Sequence, residues 1–259
     1  MNHIRACFNK AANTYDNNSG LQTIIGNKLI KMLIPHTKSS LQLIDLGCAA
    51  GKLTMELARH ISHHFFMAID IAENLLALAK SRLTPLSIKV LQADFANIPL
   101  KDHCIDLVFS NMALHWNIDN TAIIKEPARI LTPGGILAFS VPIKGTFIEL
   151  INCQQHINNT SYDDRFTATS ELIQQLKSSD FNIIDLKINN YIIYFKNILH
   201  LIKSLKNSGT NYVKNLNSTL KTKSYLNQLE QYYFAKFGHT NHLLPLTYSI
   251  LSVIAQKGN

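Results

Sequence analysis

Cysteine is sparse in this chain: Cys7, Cys48, Cys104 and Cys153 are scattered, and no two form a C-x-x-C pair. That spacing argues against a zinc knuckle or a disulfide-framed scaffold and fits reduced thiols. Long apolar runs are missing as well. None reaches the roughly 18 residues that suggest a membrane span, and Met1 to Gly20 has no apolar stretch of the signal-peptide kind. The expected location is cytoplasmic, with no membrane partner. Histidine is plentiful, but neither the cluster His60, His63 and His64 nor the pair His239 and His242 has the acidic partner of a metal-ligating helix, so no metal is expected. Acidic residues are scarce too, 17 against 25 Lys and Arg, a formal net charge of +8. From Leu186 to Leu229 there is no Asp or Glu at all, while Lys187, Lys196, Lys203, Lys206, Lys214, Lys221 and Lys223 fall within that stretch. Such a face attracts an anionic partner. The alternative is a solvated lysine face in a chain biased to Lys, Asn and Ile.

With 259 residues, 46% of them hydrophobic, the chain can bury a proper core and suits one large domain. The stretch around which the rest is organised is Leu41 to Gly51, followed by Lys52 to Arg59. An apolar run, a small-residue turn and then helical periodicity read as a buried strand feeding a tight loop into a helix. Gly47 and Gly51 permit a sharp turn and close approach of a ligand, and the new helix points its free N–H groups into the same space. Asp45 closes the strand with a carboxylate. It would repel a pyrophosphate and suits a cationic ligand. The stretch resembles the D-x-G-x-G-x-G motif of class I S-adenosylmethionine methyltransferases, with Ala49 in place of the second glycine; an ordinary strand-turn-helix is the alternative.

The rest of the chain alternates as a doubly wound α/β sheet should. Helices are expected over 4–16, where Ile4, Phe8, Ala11, Ala12 and Tyr15 share one face, and over Leu21–Ile34. Strand Leu41–Leu46 leads to helix Lys52–Ile61, strand Phe65–Ile69 to helix Glu73–Arg82, and strand Ile88–Leu91 to a loop. Strand Cys104–Phe109 leads to helix Thr121–Ile130, and Thr132-Pro-Gly-Gly135 turns into strand Ile136–Val141. Further on, Phe181–Phe195 and His242–Gln256 read as strands, with helices at Ser170–Ser178, Asn197–Lys206 and Tyr225–Phe237.

In such sheets ligands lie beyond the carboxyl ends of the strands. Asp70, with Ile71, ends the second strand about 20 positions after the glycine loop, where an acidic residue can accept ribose hydroxyls. Asp94 and Phe95 follow the third strand, suited to the amino edge and ring nitrogen of adenine. Ser110 and Asn111 follow the fourth, where an ammonium would need carbonyl partners. Each alone reads equally as a loop or cap residue; together with Asp45 they form a constellation.

Beyond these, Phe8-x-x-Ala11-Ala12-x-x-Tyr15-Asp16, Ser110-Asn-Met-Ala-Leu-His-Trp116, Pro133-Gly-Gly135, Arg165-Phe166, Ser204-Leu-Lys206 with Gly209, and Pro245-Leu-Thr-Tyr248 recur as marks across nearly the whole chain. By these the sequence resembles the malonyl-acyl carrier protein O-methyltransferases of biotin synthesis. It departs from them at Ala49, and at His115, where Gln would be expected before Trp116.

The resemblance implies a seven-stranded Rossmann-like sheet whose sixth strand runs parallel and whose seventh returns antiparallel. It implies one domain over 1–259, with N-terminal helices in 1–40, a cofactor-binding core in 41–142, and lid or substrate segments in 143–168 and 196–241. S-adenosylmethionine would be the methyl donor and S-adenosylhomocysteine the product. Methyl transfer to the free carboxylate of malonyl-acyl carrier protein would mask its charge so that fatty-acid enzymes can extend it. The acidic carrier would dock on the lysine-rich 187–223 region. Cofactor binding falls to Asp45, Gly47, Ala49, Gly51, Asp70, Ile71, Asp94, Phe95 and Asn111. Tyr15 and Trp116, unless they are ordinary core aromatics, wall the methyl site with His115 beside them. Arg165 is the first candidate to hold the malonyl carboxylate, unless it pairs with Asp163 or Asp164; Lys203 and Lys206 come next. The competing expectations are an RNA or small-carboxylate methyltransferase, against which the chain has no recognisable RNA-binding module, and a non-catalytic scaffold of the same fold.

Overall fold

The order of the strands decides where a ligand can sit. In the computed structural model, which describes residues 2–116, 122–158, 166–207, 222–238 and 242–258, the strands are β1 (Leu41–Leu46), β2 (His63–Asp70), β3 (Lys89–Gln92), β4 (Ile105–Asn111), β5 (Leu131–Pro142), β6 (Phe181–Phe195) and β7 (Leu244–Lys257). They form one seven-stranded sheet in the order β3-β2-β1-β4-β5-β7-β6. The pairs β1–β2, β1–β4, β2–β3 and β4–β5 are parallel. β7 inserts antiparallel between β5 and β6, so β6 runs parallel to the rest, as expected. The winding direction reverses between β1 and β4, and at such a switch point the two following loops diverge and leave a crevice.

The helices are α1 (Asn2–Asn18), α2 (Gly20–Leu33), α3 (Lys52–His60), α4 (Glu73–Leu83), α5 (Ala122–Ile130), α6 (Ile148–Asn158), α7 (Thr169–Ser178), α8 (Ile198–Asn207) and α9 (Lys223–Phe237). Among the described residues no helix is long and apolar enough to cross a membrane. The central strands are buried on both faces, which is why β4 reads as the near-continuous apolar run Ile105-Asp-Leu-Val-Phe109. One face carries Ile44, Leu46, Val108, Leu137, Phe139 and Val253. The other packs Leu43, Phe66, Leu107, Phe109 and Ile254 against Leu29 and Leu33 of α2 and Leu57 of α3. A further core joins Ile25 of α2, Leu150 and Cys153 of α6, Leu201 and Leu205 of α8 and Tyr233 of α9 over the ends of β6 and β7.

Two expectations need correction, and one helix was not expected. Ser110 and Asn111 are the last two residues of β4 rather than loop residues. The Thr132-Pro-Gly-Gly135 turn lies inside β5: Ile105 pairs with Leu131 and Leu107 with Ile136, so the turn bulges out between two ladder positions. Segment 143–168 contains α6, whose sequence is too rich in Asn and Gln to show clean periodicity. Burial of Leu150 and Cys153 holds it in place, and Thr247 of β7 donates both its backbone N–H (3.0 Å) and its hydroxyl to the buried Glu149 carboxylate.

Candidate active site

The recess at the switch point, about 410 Å3 with its open mouth included, has two walls. The lower one is the β1–α3 turn: Asp45, Gly47, Cys48, Ala49, Ala50, Lys52 and Leu53, with Asn111 from the end of β4. The upper one is helical: Tyr15 and Asp16 of α1, Ser19 between the helices, and Gln22 and Thr23 of α2.

Gly47 sits at φ +77°, and a Cβ built there would lie 2.2 Å from that of Ala113. The glycine is therefore needed so that the turns after β1 and β4 can touch, a requirement within the protein itself. Ala49, at the substituted motif position, also has positive φ, +49°. A side chain in that conformation costs about 1–2 kcal/mol. Its methyl packs into a small cluster with Ala12, Ala50, Ala72, Phe8 and Tyr15, which offsets part of that cost.

Asp45 is 2% exposed, and the Thr54 hydroxyl donates to its Oδ2 at 2.6 Å. Burial pushes its carboxyl up to about 7, helped by the charge of Asp70 and opposed by the Thr54 bond. Thr54, one turn into α3, is a supporting residue the sequence reading missed; its signal was a polar side chain on the core face of an amphipathic helix. Asp70 accepts the backbone N–H of Ala49 on Oδ2 and of Ala72 on Oδ1, both at 2.9 Å. Burial raises its carboxyl and these N–H groups, with that of Ile71, pull it back. In this structure Asp70 ties the motif turn to the start of α4. Asp94 closes its own turn, Oδ1 accepting the Ala96 N–H at 2.9 Å, and Phe95 is buried in the sheet core. Gly51, Asp70, Ile71, Asp94 and Phe95 lie outside the recess lining. The last four end or follow β2 and β3, so with Asp45 and Asn111 they make a row along the carboxyl edge of the sheet.

Asn111 is 8% exposed and held at both ends of its amide: its Nδ2 donates to the Gln22 carbonyl at 3.0 Å and its Oδ1 accepts the Ser140 hydroxyl at 2.8 Å. It bolts α2 to the sheet, a role not foreseen for it.

The upper wall is latched by polar side chains from α1. Both oxygens of Asp16 accept from the two terminal nitrogens of Arg82 on α4, and Arg82 also donates to the Ala50 carbonyl at 2.9 Å. The guanidinium holds the Asp16 carboxyl below its ordinary range. Asn9 caps α4 from outside, its Oδ1 accepting the Asn74 N–H at 3.0 Å, where the position before the helix is the uncapping Ala72. Asp16 and Arg82 are latch residues that sequence reading had no means to pair across the intervening chain.

Tyr15 lines the recess, and burial with nearby carboxylates pushes its hydroxyl upward, so it is a neutral wall at physiological pH. Trp116 does not line it; the Phe8 ring stands edge-on between the two, 6.4 Å from Tyr15 and 5.5 Å from Trp116. Burial pushes His115 down to about 3, leaving a neutral ring with Nδ1 unpartnered, 4.7 Å from Trp116. Lys203 and Lys206 are exposed on α8, whose buried face is Ile198, Leu201, Ile202 and Leu205, so neither side chain enters the recess. Arg165, with Asp163 and Asp164, and likewise Lys214, Lys221, Gly209 and His239, lie outside the described residues. Of the other histidines, His60 faces Glu56 at 3.4 Å, His63 the Ile61 carbonyl at 2.8 Å and His64 the Ser40 carbonyl at 2.9 Å. Among the described residues no three His, Cys, Asp or Glu side chains group as metal ligands.

Residues 44–139 match the family model described as a methyltransferase domain. The chain is 31% identical to the malonyl-acyl-carrier protein O-methyltransferase of Buchnera aphidicola subsp. Baizongia pistaciae, over 88% of this chain and 89% of that one. It is 27% identical to the enzyme of the same name from a Marinomonas species, over 97% and 92% of the two chains. Among solved structures it is similar to a protein from Bacillus halodurans, with a TM-score of 0.63 and 16% identity over 90% of this chain and 99% of that one, a likeness of fold.

Proposed function

The chain belongs to the malonyl-acyl carrier protein O-methyltransferase family, and from that premise we propose that it transfers a methyl group from S-adenosylmethionine to the free carboxylate of malonyl-acyl carrier protein, the ester that starts biotin synthesis. The similarity to enzymes of that name supports the acceptor, and the observation that carries the donor is Asp45. A buried carboxylate pushed up to about 7 at the head of a recess is a poor place for an anion and a good one for a cation. A ligand bearing an ammonium and a sulfonium, and no phosphate, fits it.

When bound, S-adenosylmethionine supplies an electrophilic methyl group on a positively charged sulfur. The protein's own residues then have few chemical duties. The acceptor carboxylate, with an ordinary value of about 4, is already ionised at neutral pH, so no side chain need act as base. Consistent with that, Tyr15 and His115 both stay neutral. Asp45 favours the cationic end of the donor, and Asp70, Ile71, Asp94 and Phe95 meet its ribose and adenine. Gly47, Ala49 and Gly51 shape the turn beneath it, and Asn111 keeps α2 over it. Tyr15 walls the recess and excludes water, which favours a step that annihilates charge. Phe8, His115 and Trp116 back that wall. Alignment is the remaining task, and well-oriented geometry contributes several kcal/mol. Arg165 is proposed to clamp the malonyl carboxylate with its planar fork.

The acyl carrier protein is proposed to dock on the basic carboxyl-edge surface. Lys196, Lys203, Lys206 and Lys223 are exposed there, and Lys187, in the middle of the outermost strand, is half spent on Asp185 at 3.5 Å. Rim charges act mainly on encounter rate and are screened over about 8 Å at physiological salt. The test is mass spectrometry of malonyl-acyl carrier protein incubated with enzyme and S-adenosylmethionine, with kcat/KM then compared for the carrier and for malonyl-coenzyme A. A malonyl methyl ester on the carrier is expected. Charge reversal at Lys196, Lys203 and Lys206 should cut the carrier reaction most, and more at low salt. Absence of the ester would end the proposal, and equal loss on both acceptors would end the docking surface.

A further inference from the structure

One polar atom in the recess has no role in anything described so far. Gln22 lines the recess from α2, and its Oε1 is buried without a hydrogen-bond partner. A buried acceptor left unpaired is costly, and this one, unlike the unpaired atoms of His115 and Gln175, belongs to a residue that lines the recess, where a ligand's donor can complete it. Its placement is fixed by the sheet: the Gln22 carbonyl accepts the Asn111 Nδ2 across 89 positions of chain, and Asn111 is itself held by Ser140. The second acceptor in the same recess is Asp45, whose Oδ2 is taken by Thr54.

We infer that Gln22 Oε1 receives the ammonium of the ligand's amino-acid end, sharing it with Asp45. This rests on the proposed use of an adenosyl sulfonium amino acid. Of that ligand's groups the sulfonium is cationic but has no hydrogen to donate, and the ribose and adenine belong to the ends of β2 and β3. The ammonium alone is both a cation and a donor, with three N–H bonds to distribute. A neutral amide suits the second position better than another carboxylate would, because it adds an acceptor without adding repulsion to Asp45. Lys52 lines the same recess and offers a cation for the carboxylate of the same amino-acid end.

Three ligands separate the possibilities: S-adenosylhomocysteine, its decarboxylated analogue, which keeps the ammonium, and methylthioadenosine, which lacks both groups. Binding is measured by calorimetry on the wild type and on Gln22→Met, which keeps the side-chain length and removes the acceptor. The variant should bind the first two on the order of 10-fold or more weakly and methylthioadenosine unchanged. Its melting temperature without ligand should be unchanged or higher, since an unpaired acceptor has gone. Equal weakening of all three ligands, or a lowered melting temperature, would overturn the assignment in favour of a packing role. Weakening of S-adenosylhomocysteine alone would overturn it in favour of the carboxylate. If wild-type protein bound none of the three, the proposed function would fall and this inference with it.

Discussion

The two walls of the recess are built on different principles. The sheet wall is made by residues close together in sequence: Asp45 to Leu53 form a strand end, a turn and a helix start, with Gly47 touching Ala113 and Asp45 under Thr54. The helical wall is assembled across the chain. Asp16 reaches Arg82, Asn9 reaches Asn74 and Asn111 reaches the Gln22 carbonyl, each with a polar side chain, and Ala11 and Ala12 keep α1 close enough for the first two. The first wall is strained and cannot move without breaking the sheet. The α1 part of the second is held by polar latches, so it is the side on which ligand exchange is expected, whereas α2 is packed into the core by Ile25, Leu29 and Leu33.

Strain in the sheet wall is tested first, because its effect should be largest. Asp45 in the folded, unliganded protein titrates about 7 against an ordinary value near 4, so the folded state binds the extra proton. Stability should therefore fall as pH rises from about 4 to about 7 and stay lowered above that. Asp45→Asn keeps an acceptor for Thr54 and removes the titration. It should raise the unliganded protein's stability above pH 7 by about 2–4 kcal/mol and flatten the pH dependence, while S-adenosylmethionine binding is lost. Urea melts from pH 5 to 8.5, with calorimetry, measure both. A variant no more stable than wild type would mean that the wall is not strained.

The latch should give a smaller effect. The Asp16 and Arg82 side chains are 36% and 31% exposed, so solvent screens the pair and Asp16→Asn is expected to cost about 1 kcal/mol. Arg82 lowers the Asp16 carboxyl, so the contribution is present above its unfolded value near 4 and disappears as pH falls through the lowered folded value. Hydrogen exchange should rise in residues 2–18 well beyond the global change. Uniform exchange across the molecule would erase the distinction between the walls.

The smallest effect is expected at Ala49, where the walls meet. Relief of its positive φ by Ala49→Gly is worth about 1 kcal/mol, and loss of the methyl from the Ala12 cluster costs about 0.8 kcal/mol. Near-cancellation is expected in denaturant titration. A destabilisation above about 1 kcal/mol would show that packing against α1 dominates.

The sequence by itself determined the strands, their order of appearance and the row of strand-end residues, because a two-sided buried sheet demands apolar runs punctuated by turns. β1 and β6 have the expected bounds, and α1 buries the expected face of Ile4, Ala11 and Ala12. Such signals are local, carried by residues within one element. What only the tertiary structure decided is which polar groups meet. The Asp16–Arg82 latch, the Asn111 bolt on α2, the neutral His115 and the orphaned Gln22 oxygen all depend on partners, or on burial, supplied from elsewhere in the chain. α6 belongs with them: its own pattern is weak, and it is held by the buried Leu150 and Cys153 and by Glu149 receiving Thr247. A side chain's charge state and hydrogen-bond partners follow from what surrounds it in space, and periodicity along the chain carries no record of that.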